Sequence, residues 1–263
     1  MNSVAHRFSR AARTYDRGAG LHRHVAARLL ELMPESDQVG TGRILEVGCG
    51  TGVLTGLLRQ RYPAASLCVM DVAEGMVDCV RERWEGDPAM EFVVSDVRTF
   101  KTARPFNLIV SSSALHWATP LERTLATLHE ALEPGGGLCV AVMTDGTLGE
   151  LHRLRREIAP AKMPAGRLPS REEMLLAVVG TGFTVTGCED EAIQARYQSA
   201  DDFLRTIHAQ GLTAGAVSRA ASPLSRSELA QLRHDYDETC HDEAGGVHAT
   251  FEVLYLASIR DRR

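Results

Sequence analysis

Glu46-Val47-Gly48-Cys49-Gly50-Thr51-Gly52 is the stretch whose reading decides the fold. Just ahead of it, Ile44-Leu45-Glu46-Val47 predicts a short buried strand, and just behind it Val53 to Tyr62 has helical spacing and stops before Pro63. Glycines in the bend between them let the chain turn tightly from strand to helix and let backbone approach a ligand with no Cβ in the way. The helix that begins after Gly52 offers free N–H groups, which in a dinucleotide fold face a pyrophosphate. Taken alone, the pattern is a weak signal, because glycine turns between strand and helix also occur for packing alone, so its meaning rests on what surrounds it.

Outward from this bend, strand and helix keep alternating. Leu67 to Asp71, Glu91 to Val94, Phe106 to Ser111 and Gly137 to Val142 are predicted strands, with helices over Met76 to Trp84 and Leu121 to Leu132. Strands separated by helix-length segments imply right-handed βαβ units, a parallel sheet, and ligand chemistry at the carboxyl ends of the strands. After Thr144 the rhythm changes to helices over Leu148 to Ile158 and Arg171 to Val179, then strands over Phe183 to Cys188 and Ala249 to Ile259. The mostly helical stretch between those two strands is too long for a connection and reads as a cap inserted over the sheet edge. Upstream, Val4, Phe8, Ala11, Ala12 and Tyr15 share one helical stripe, and a second helix carries Leu21, Val25, Leu29 and Leu32 before Pro34. The expected architecture is α/β, a Rossmann-like seven-stranded mostly parallel sheet with helices on both faces. Residues 1–36 are expected as helices covering the ligand site, 37–198 as the core, 199–246 as the helical cap and 247–263 as the last strand of the sheet.

The chain has 263 residues and a formal net charge of −5, which gives no global attraction to nucleic acid or to an anionic membrane. Its basic residues are arginines apart from Lys101 and Lys162, and arginine is the better fork for a carboxylate or phosphate. Cys49, Cys68, Cys79, Cys139, Cys188 and Cys240 are scattered, without a Cys-x-x-Cys pair or a His at metal-ligand spacing. The expectation is reduced thiols in a cytoplasmic protein with no metal site. His6, Arg7, Arg10 and Arg13 occupy the start without an apolar stretch, and no run of 18 apolar residues occurs, which argues against secretion and membrane spanning.

Asp71 ends the second predicted strand. A carboxylate there either accepts hydrogen bonds from the hydroxyls of a ribose or caps the following helix. Ser95-Asp96, at the end of the third strand, either reaches an adenine amino group or simply turns the chain. The fourth strand leaves through Ser111-Ser112-Ser113-Ala114-Leu115-His116-Trp117, a small, polar and aromatic exit for a buried strand. It is the joint spacing of these features that favours a nucleoside-bearing ligand.

Over residues 43–143 the chain resembles the class I methyltransferases that use S-adenosyl-L-methionine. Leu45-Glu46-Val47-Gly48-Cys49-Gly50-Thr51-Gly52 is similar to their first motif, Asp71 to the ribose-binding acid, and Ser95-Asp96 to the adenine-contacting pair. Phe106-Asn107-Leu108-Ile109 resembles the fourth motif, with Asn107 where that family commonly has Asp, and Leu132-Glu133-Pro134-Gly135-Gly136 resembles the turn before strand five. Dehydrogenases usually show Gly-x-Gly-x-x-Gly, whereas here the third glycine comes one residue early and position 53 is Val. The resemblance implies S-adenosyl-L-methionine as cofactor and S-adenosyl-L-homocysteine as product. It implies binding by Glu46, Gly48, Gly50 and Gly52 in the bend, by Asp71, Val72 and Met76 after the second strand, by Asp96 and Val97 after the third, and by Ser112 after the fourth. Tyr15 either closes over the cofactor or completes the apolar stripe of its helix.

The flanks are similar to a narrower family, the methyltransferases of biotin synthesis that act on malonyl-acyl carrier protein. The similarity lies in Phe8-Ser9-Arg10-Ala11-Ala12-Arg13-Thr14-Tyr15-Asp16, in Ser113-Ala114-Leu115-His116-Trp117, in Thr147-Leu148-Gly149-Glu150-Leu151, in Arg167-Leu168-Pro169-Ser170-Arg171-Glu172-Glu173, in the stretch from Phe203 to Gly211, and in Thr250-Phe251-Glu252-Val253-Leu254-Tyr255. What it implies is methylation of the free carboxylate of a malonyl thioester; the first rival is a sibling enzyme on the same core that methylates malonyl-coenzyme A, free malonate or another small acid, a quinone or another metabolite. A carboxylate is already ionised at pH 7, so displacement at a sulfonium methyl needs alignment and exclusion of water rather than a general base. Candidates for the reaction centre are Tyr15, His116 and Trp117 around the methyl group and Arg205 as a fork on the carboxylate; the alternative is packing for the first three, which the position of His116 and Trp117 directly after the strand end argues against, and surface charge for Arg205. Arg153, Arg155 and Arg156 either greet an acidic carrier protein or form a solvated face. A monomer or weak dimer is expected. The rival from another class is a nucleoside-binding protein without catalysis or an NAD-dependent oxidoreductase.

Overall fold

The computed structural model describes residues 5–6, 8–9, 20–164, 166–209, 222–241 and 245–262. Seven strands form one sheet: β1 (Arg43–Val47), β2 (Ser66–Asp71), β3 (Met90–Val94), β4 (Phe106–Ser112), β5 (Leu132–Met143), β6 (Phe183–Tyr197) and β7 (Val247–Arg260), in the order β3-β2-β1-β4-β5-β7-β6. The first five are parallel, and β7 runs antiparallel between β5 and β6. Strand order reverses between β1 and β4, which opens a crevice at their carboxyl ends.

Among the described residues, the longer helices packed around the sheet are α1 (Gly20–Glu31), α2 (Val53–Arg61), α3 (Glu74–Trp84), α4 (Leu121–Ala131), α5 (Gly149–Ile158), α6 (Arg171–Gly180), α7 (Ala200–Ala209) and α8 (Arg226–Thr239). The period-two alternation of a strand assigns its side chains to opposite faces. Ile44 joins Val25, Leu29, Leu58 and Val80 on one face, while Leu45 and Val47 join Leu125, Leu128 and Val178 on the other. With both faces covered, β1 is a run of buried residues, and Glu46 is buried among them. Helices α6 and α8 each start on a capping box: Ser170 and Ser225 accept from the N–H of Glu173 and Glu228, and those carboxylates accept from the serine N–H groups in return.

Asn107 uses both ends of its amide. Its Oδ1 accepts from the Arg43 N–H at 2.7 Å and its Nδ2 donates to Glu133, which ties β1, β4 and β5 together at their amino ends. An aspartate has no N–H for Glu133, so this neighbour accounts for the departure from the family residue.

Strand β6 continues to Tyr197, well past the predicted end at Cys188. The acidic run Glu189-Asp190-Glu191 breaks the apolar signal in the sequence, yet these residues are matched by Arg28, Arg171 and His24 respectively. Charge on an edge strand also keeps it from pairing with other chains. Beyond the end of β5 at Met143, β6 and β7 pair on alone through Tyr197 and Val247. On this extension a third cluster forms from Met143, Leu151, Leu154, Phe203, Ile207, Leu232, Tyr236 and Phe251, which joins α5, α7 and α8 beside the carboxyl ends of the parallel strands. Among the described residues, no helix is long and apolar enough to cross a membrane.

Phe203 is fully buried, stacked on Tyr236 with ring centroids 4.9 Å apart and packed on Tyr197 at 5.1 Å. Phe203→Ala is expected to lower stability by about 3–5 kcal/mol, seen as a lower urea midpoint at unchanged slope. A midpoint equal to wild type would show that the helical cap does not unfold with the sheet.

Candidate active site

The bend after β1 is docked on the end of β2. The Gly48 and Cys49 N–H groups both donate to the Met70 carbonyl, at 2.7 and 3.0 Å, and the Gly50 N–H donates to Asp71 Oδ2 at 3.1 Å. Gly48 has φ of +75°, and a Cβ on it would lie 2.2 Å from the Ala114 Cβ. Gly50, at φ +53°, faces open space, so its freedom serves the backbone direction and the approach of a ligand. Gly52, predicted to bind ligand, does not line the cleft; it is turned towards the Trp84 ring and shapes the start of α2.

Asp71 does not cap α3, whose N-cap is Ala73 without a side-chain bond. Its Oδ1 accepts from the Ala73 N–H at 2.9 Å and its Oδ2 from Gly50, so the carboxylate clamps the bend to the turn after β2. Burial raises its pKa, opposed by these backbone donors. A carboxylate has about four acceptor positions, which leaves capacity for the hydroxyls of a ligand. Glu46, one turn of the bend away, accepts from Thr55 Oγ1 at 2.6 Å. Burial pushes its pKa up to about 8, the Thr55 bond opposes this, and the charge of Asp71 adds to it. No basic side chain among the described residues pairs with Glu46, so a cationic ligand group has a prepared partner here. The Cys49 thiol is pushed well up by burial and by these acids, which leaves it inert as a nucleophile.

Glu46, Gly48, Gly50, Asp71, Val72, Met76, Asp96, Val97 and Ser112 line one cleft with a cavity volume of about 150 Å³. The Asp96 carboxylate is already held: it accepts from the Arg98 N–H at 3.0 Å and from Arg98 Nε at 2.9 Å, and these bonds lower its pKa. An adenine amino group would share it with that guanidinium. Beyond β4, Trp117 lines the cleft, with the Phe8 ring edge-on at 6.3 Å. Ser9 Oγ accepts from the Gly75 N–H at 3.3 Å, which brings the N-terminal segment to the same rim.

His116 is buried beside the cleft rather than in its lining. The tight turn Leu115–Trp117 sends consecutive side chains in different directions: Trp117 enters the cleft wall, and the buried His116 ring packs beside it, its Nδ1 accepting from the Met143 N–H at 3.4 Å. Arg205 is corrected: α7 buries Ala200, Phe203 and Ile207, which places Arg205 on the outer face, 71% exposed, in an ion pair with Asp201 and away from the cleft. Tyr15 lies outside the described residues. Of the three arginines on α5, Arg153 pairs with Glu157 and Arg155 folds onto the Lys162 carbonyl. The sequence reading missed His22, Arg98 and Ser113 in the cleft wall. For His22 a signal existed, because it stands three residues before Val25 on the apolar stripe of α1.

Residues 44–136 match a family model described as a methyltransferase domain. Among solved structures, the N-methyltransferase NodS from Bradyrhizobium japonicum, in complex with S-adenosyl-L-homocysteine, has the same fold: TM-score 0.53, 17% identity, covering 95% of this chain and 98% of that one. Together, the crevice at the strand reversal, the docked glycine bend and the domain match make the chain an S-adenosylmethionine-dependent methyltransferase. The relatives then narrow the class. The malonyl-[acyl-carrier protein] O-methyltransferase of Anoxybacillus flavithermus is 35% identical over 260 residues, covering 95% of this chain and 94% of that protein, and the one of Geobacter sulfurreducens is 29% identical over 259 residues, covering 96% of each. The chain belongs to the malonyl-[acyl-carrier protein] O-methyltransferase family.

Asp71→Ala is expected to weaken S-adenosylhomocysteine binding by roughly 1–3 kcal/mol, the scale of hydrogen bonds to a charged group, in titration calorimetry. Unchanged affinity would leave that carboxylate a loop clamp only. The folded pKa of Glu46 is raised, so the stability contributed by its protonated form is full below the ordinary carboxylate value and is lost as pH rises through about 8. Glu46→Gln is therefore expected to lose less melting temperature than wild type between pH 6 and 9 while binding S-adenosylhomocysteine more weakly. Parallel melting curves would refute the buried-acid assignment.

Proposed function

We propose that this chain transfers a methyl group to the free carboxylate of malonyl-acyl carrier protein, in the making of the pimeloyl moiety of biotin. It is read as a cytoplasmic enzyme that works as a monomer or weak dimer. The observation that carries the substrate is the family membership over the full length of the chain. The site chemistry agrees with it. The acids of the cleft are engaged with Thr55, with backbone N–H groups or with Arg98, and burial pushes His22 down to about 4, where it is a weak base. A nucleophile that arrives ionised needs no proton removed.

When bound, S-adenosyl-L-methionine supplies a sulfonium methyl: a substrate carboxylate oxygen forms the new C–O bond as the C–S bond breaks, the electron pair goes to sulfur, and a methyl ester and S-adenosyl-L-homocysteine result. The protein's share is positioning. The bend at Gly48 and Gly50 provides a surface without side chains, Glu46 offers an unpaired acid for an ammonium group, and Asp71 offers acceptors for ribose hydroxyls. Phe8 and Trp117 wall the cleft with aromatic surface and keep water from the reacting centre.

Transfer of labelled methyl should proceed on malonyl-acyl carrier protein in preference to malonyl-coenzyme A and free malonate, and kcat under saturating cofactor should stay level from pH 6 to 8. Equal rates on free malonate would remove the thioester assignment. Calorimetric binding of NAD with no response to S-adenosylhomocysteine would remove the methyltransferase reading itself.

A further inference from the structure

We propose that Ser113 and His116, on the exit from β4, form the hydrogen-bonding pair that holds the acceptor carboxylate. Both carry a buried polar atom without a partner among the described residues, Ser113 Oγ and His116 Nε2. Buried polar groups are nearly always satisfied, so two such atoms within one short turn call for a reason. The histidine tautomer follows from its other nitrogen. Because the Met143 N–H donates to Nδ1, the ring proton resides on Nε2, which is therefore a donor. Burial, reinforced by the nearby His22, keeps the ring neutral across the physiological range. The serine hydroxyl is also able to donate. Ser113 is held at φ +57°, an unfavourable region for a residue with a Cβ, by its N–H bond to the Ala141 carbonyl at 2.8 Å. The missing complement to both atoms is an oxygen acceptor.

Their place in the fold selects which oxygen. Ser113 and Trp117 line the cleft, and the His116 ring is 5.2 Å from that of Trp117. Met143, which fixes His116, also belongs to the cluster that seats the helical cap. The pair thus stands where cleft and cap meet, whereas the groups suited to the nucleoside and ammonium, Asp71 and Glu46, belong to the bend after β1. Two neutral donors orient a carboxylate while leaving more charge on its oxygens than a guanidinium ion pair does. This assignment rests on the carboxylate substrate proposed above.

Ser113→Ala and His116→Phe are each expected to raise KM for the malonyl thioester about tenfold, with kcat near wild type and S-adenosylhomocysteine affinity unchanged, as for lost uniform binding. His116→Gln, which keeps an N–H donor, should restore KM to near wild type. In the wild-type protein saturated with S-adenosylhomocysteine, the Nε2–H resonance of His116 should shift when malonyl-pantetheine is added. Unchanged KM in folded variants, a parallel fall in S-adenosylhomocysteine affinity, or a still resonance would each overturn the pair. Should His116→Phe not fold, Ser113→Ala and the resonance decide. If wild type transfers no methyl to malonyl thioesters, the substrate reading falls, while the response of the resonance to free malonate still tests whether a carboxylate reaches these donors.

Discussion

Two N–H groups converging on the carbonyl of Met70 hold the site together. A carbonyl has two lone pairs, and here Gly48 takes one and Cys49 the other, which pins the bend after β1 against the end of β2. The Gly50 bond to Asp71 adds a third tie. From that docking follow the direction in which α2 starts, the burial of Glu46 beneath Thr55, and the approach of Ala114 from β4 to a point where residue 48 has no room for a Cβ. Residues that follow β1, β2 and β4 thus meet around one backbone contact between neighbours in the sheet.

The electrostatics of the cleft are divided. Burial raises the proton affinity of both Glu46 and Asp71, the charge of Asp71 adds to it at Glu46, and neither meets a basic side chain among the described residues, so a ligand with a positive charge and hydroxyl donors relieves both at once. Asp96 is the contrasting acid, already neutralised by Arg98. The exit from β4 presents donors instead, and its histidine is kept uncharged by burial. Acceptors gather at the bend and donors at the exit, an asymmetry that suits a cationic donor molecule and an anionic acceptor brought together in one crevice.

Strands β1, β2 and β4 were legible because each is a short apolar run with a turn former or charged residue at its end, the signature of a strand covered on both sides; β3 was found although it is a half-buried edge strand, and β5, read from Gly137, begins at Leu132, where the glycines look like a turn. Strand β6 was read too short, since Glu189, Asp190 and Glu191 look like a loop until the partners on α1 and α6 are known. At the site, Asp71 and the bend were legible from spacing along the chain. The side-chain directions within the turn at 115–117 were not, because a 3-10 turn has no long period from which direction can be inferred. Arg205 was assigned from its charge alone, although the apolar positions 200, 203 and 207 already place it on the opposite face of α7.

The cap is a consequence of how β6 and β7 end. Because β7 enters the sheet antiparallel between β5 and β6, its first residues project past Met143, and the pair carries apolar residues to a place where no parallel strand remains to cover them. Helices α5, α7 and α8 bury that surface. The attachment is stiff: the Leu148 N–H donates to the Thr250 carbonyl at 2.7 Å, and Glu150 on α5 accepts from the Thr250 N–H at 3.2 Å. Met143 therefore belongs to three arrangements, as the last residue of β5, as the donor that sets the His116 tautomer, and as a member of the cap cluster.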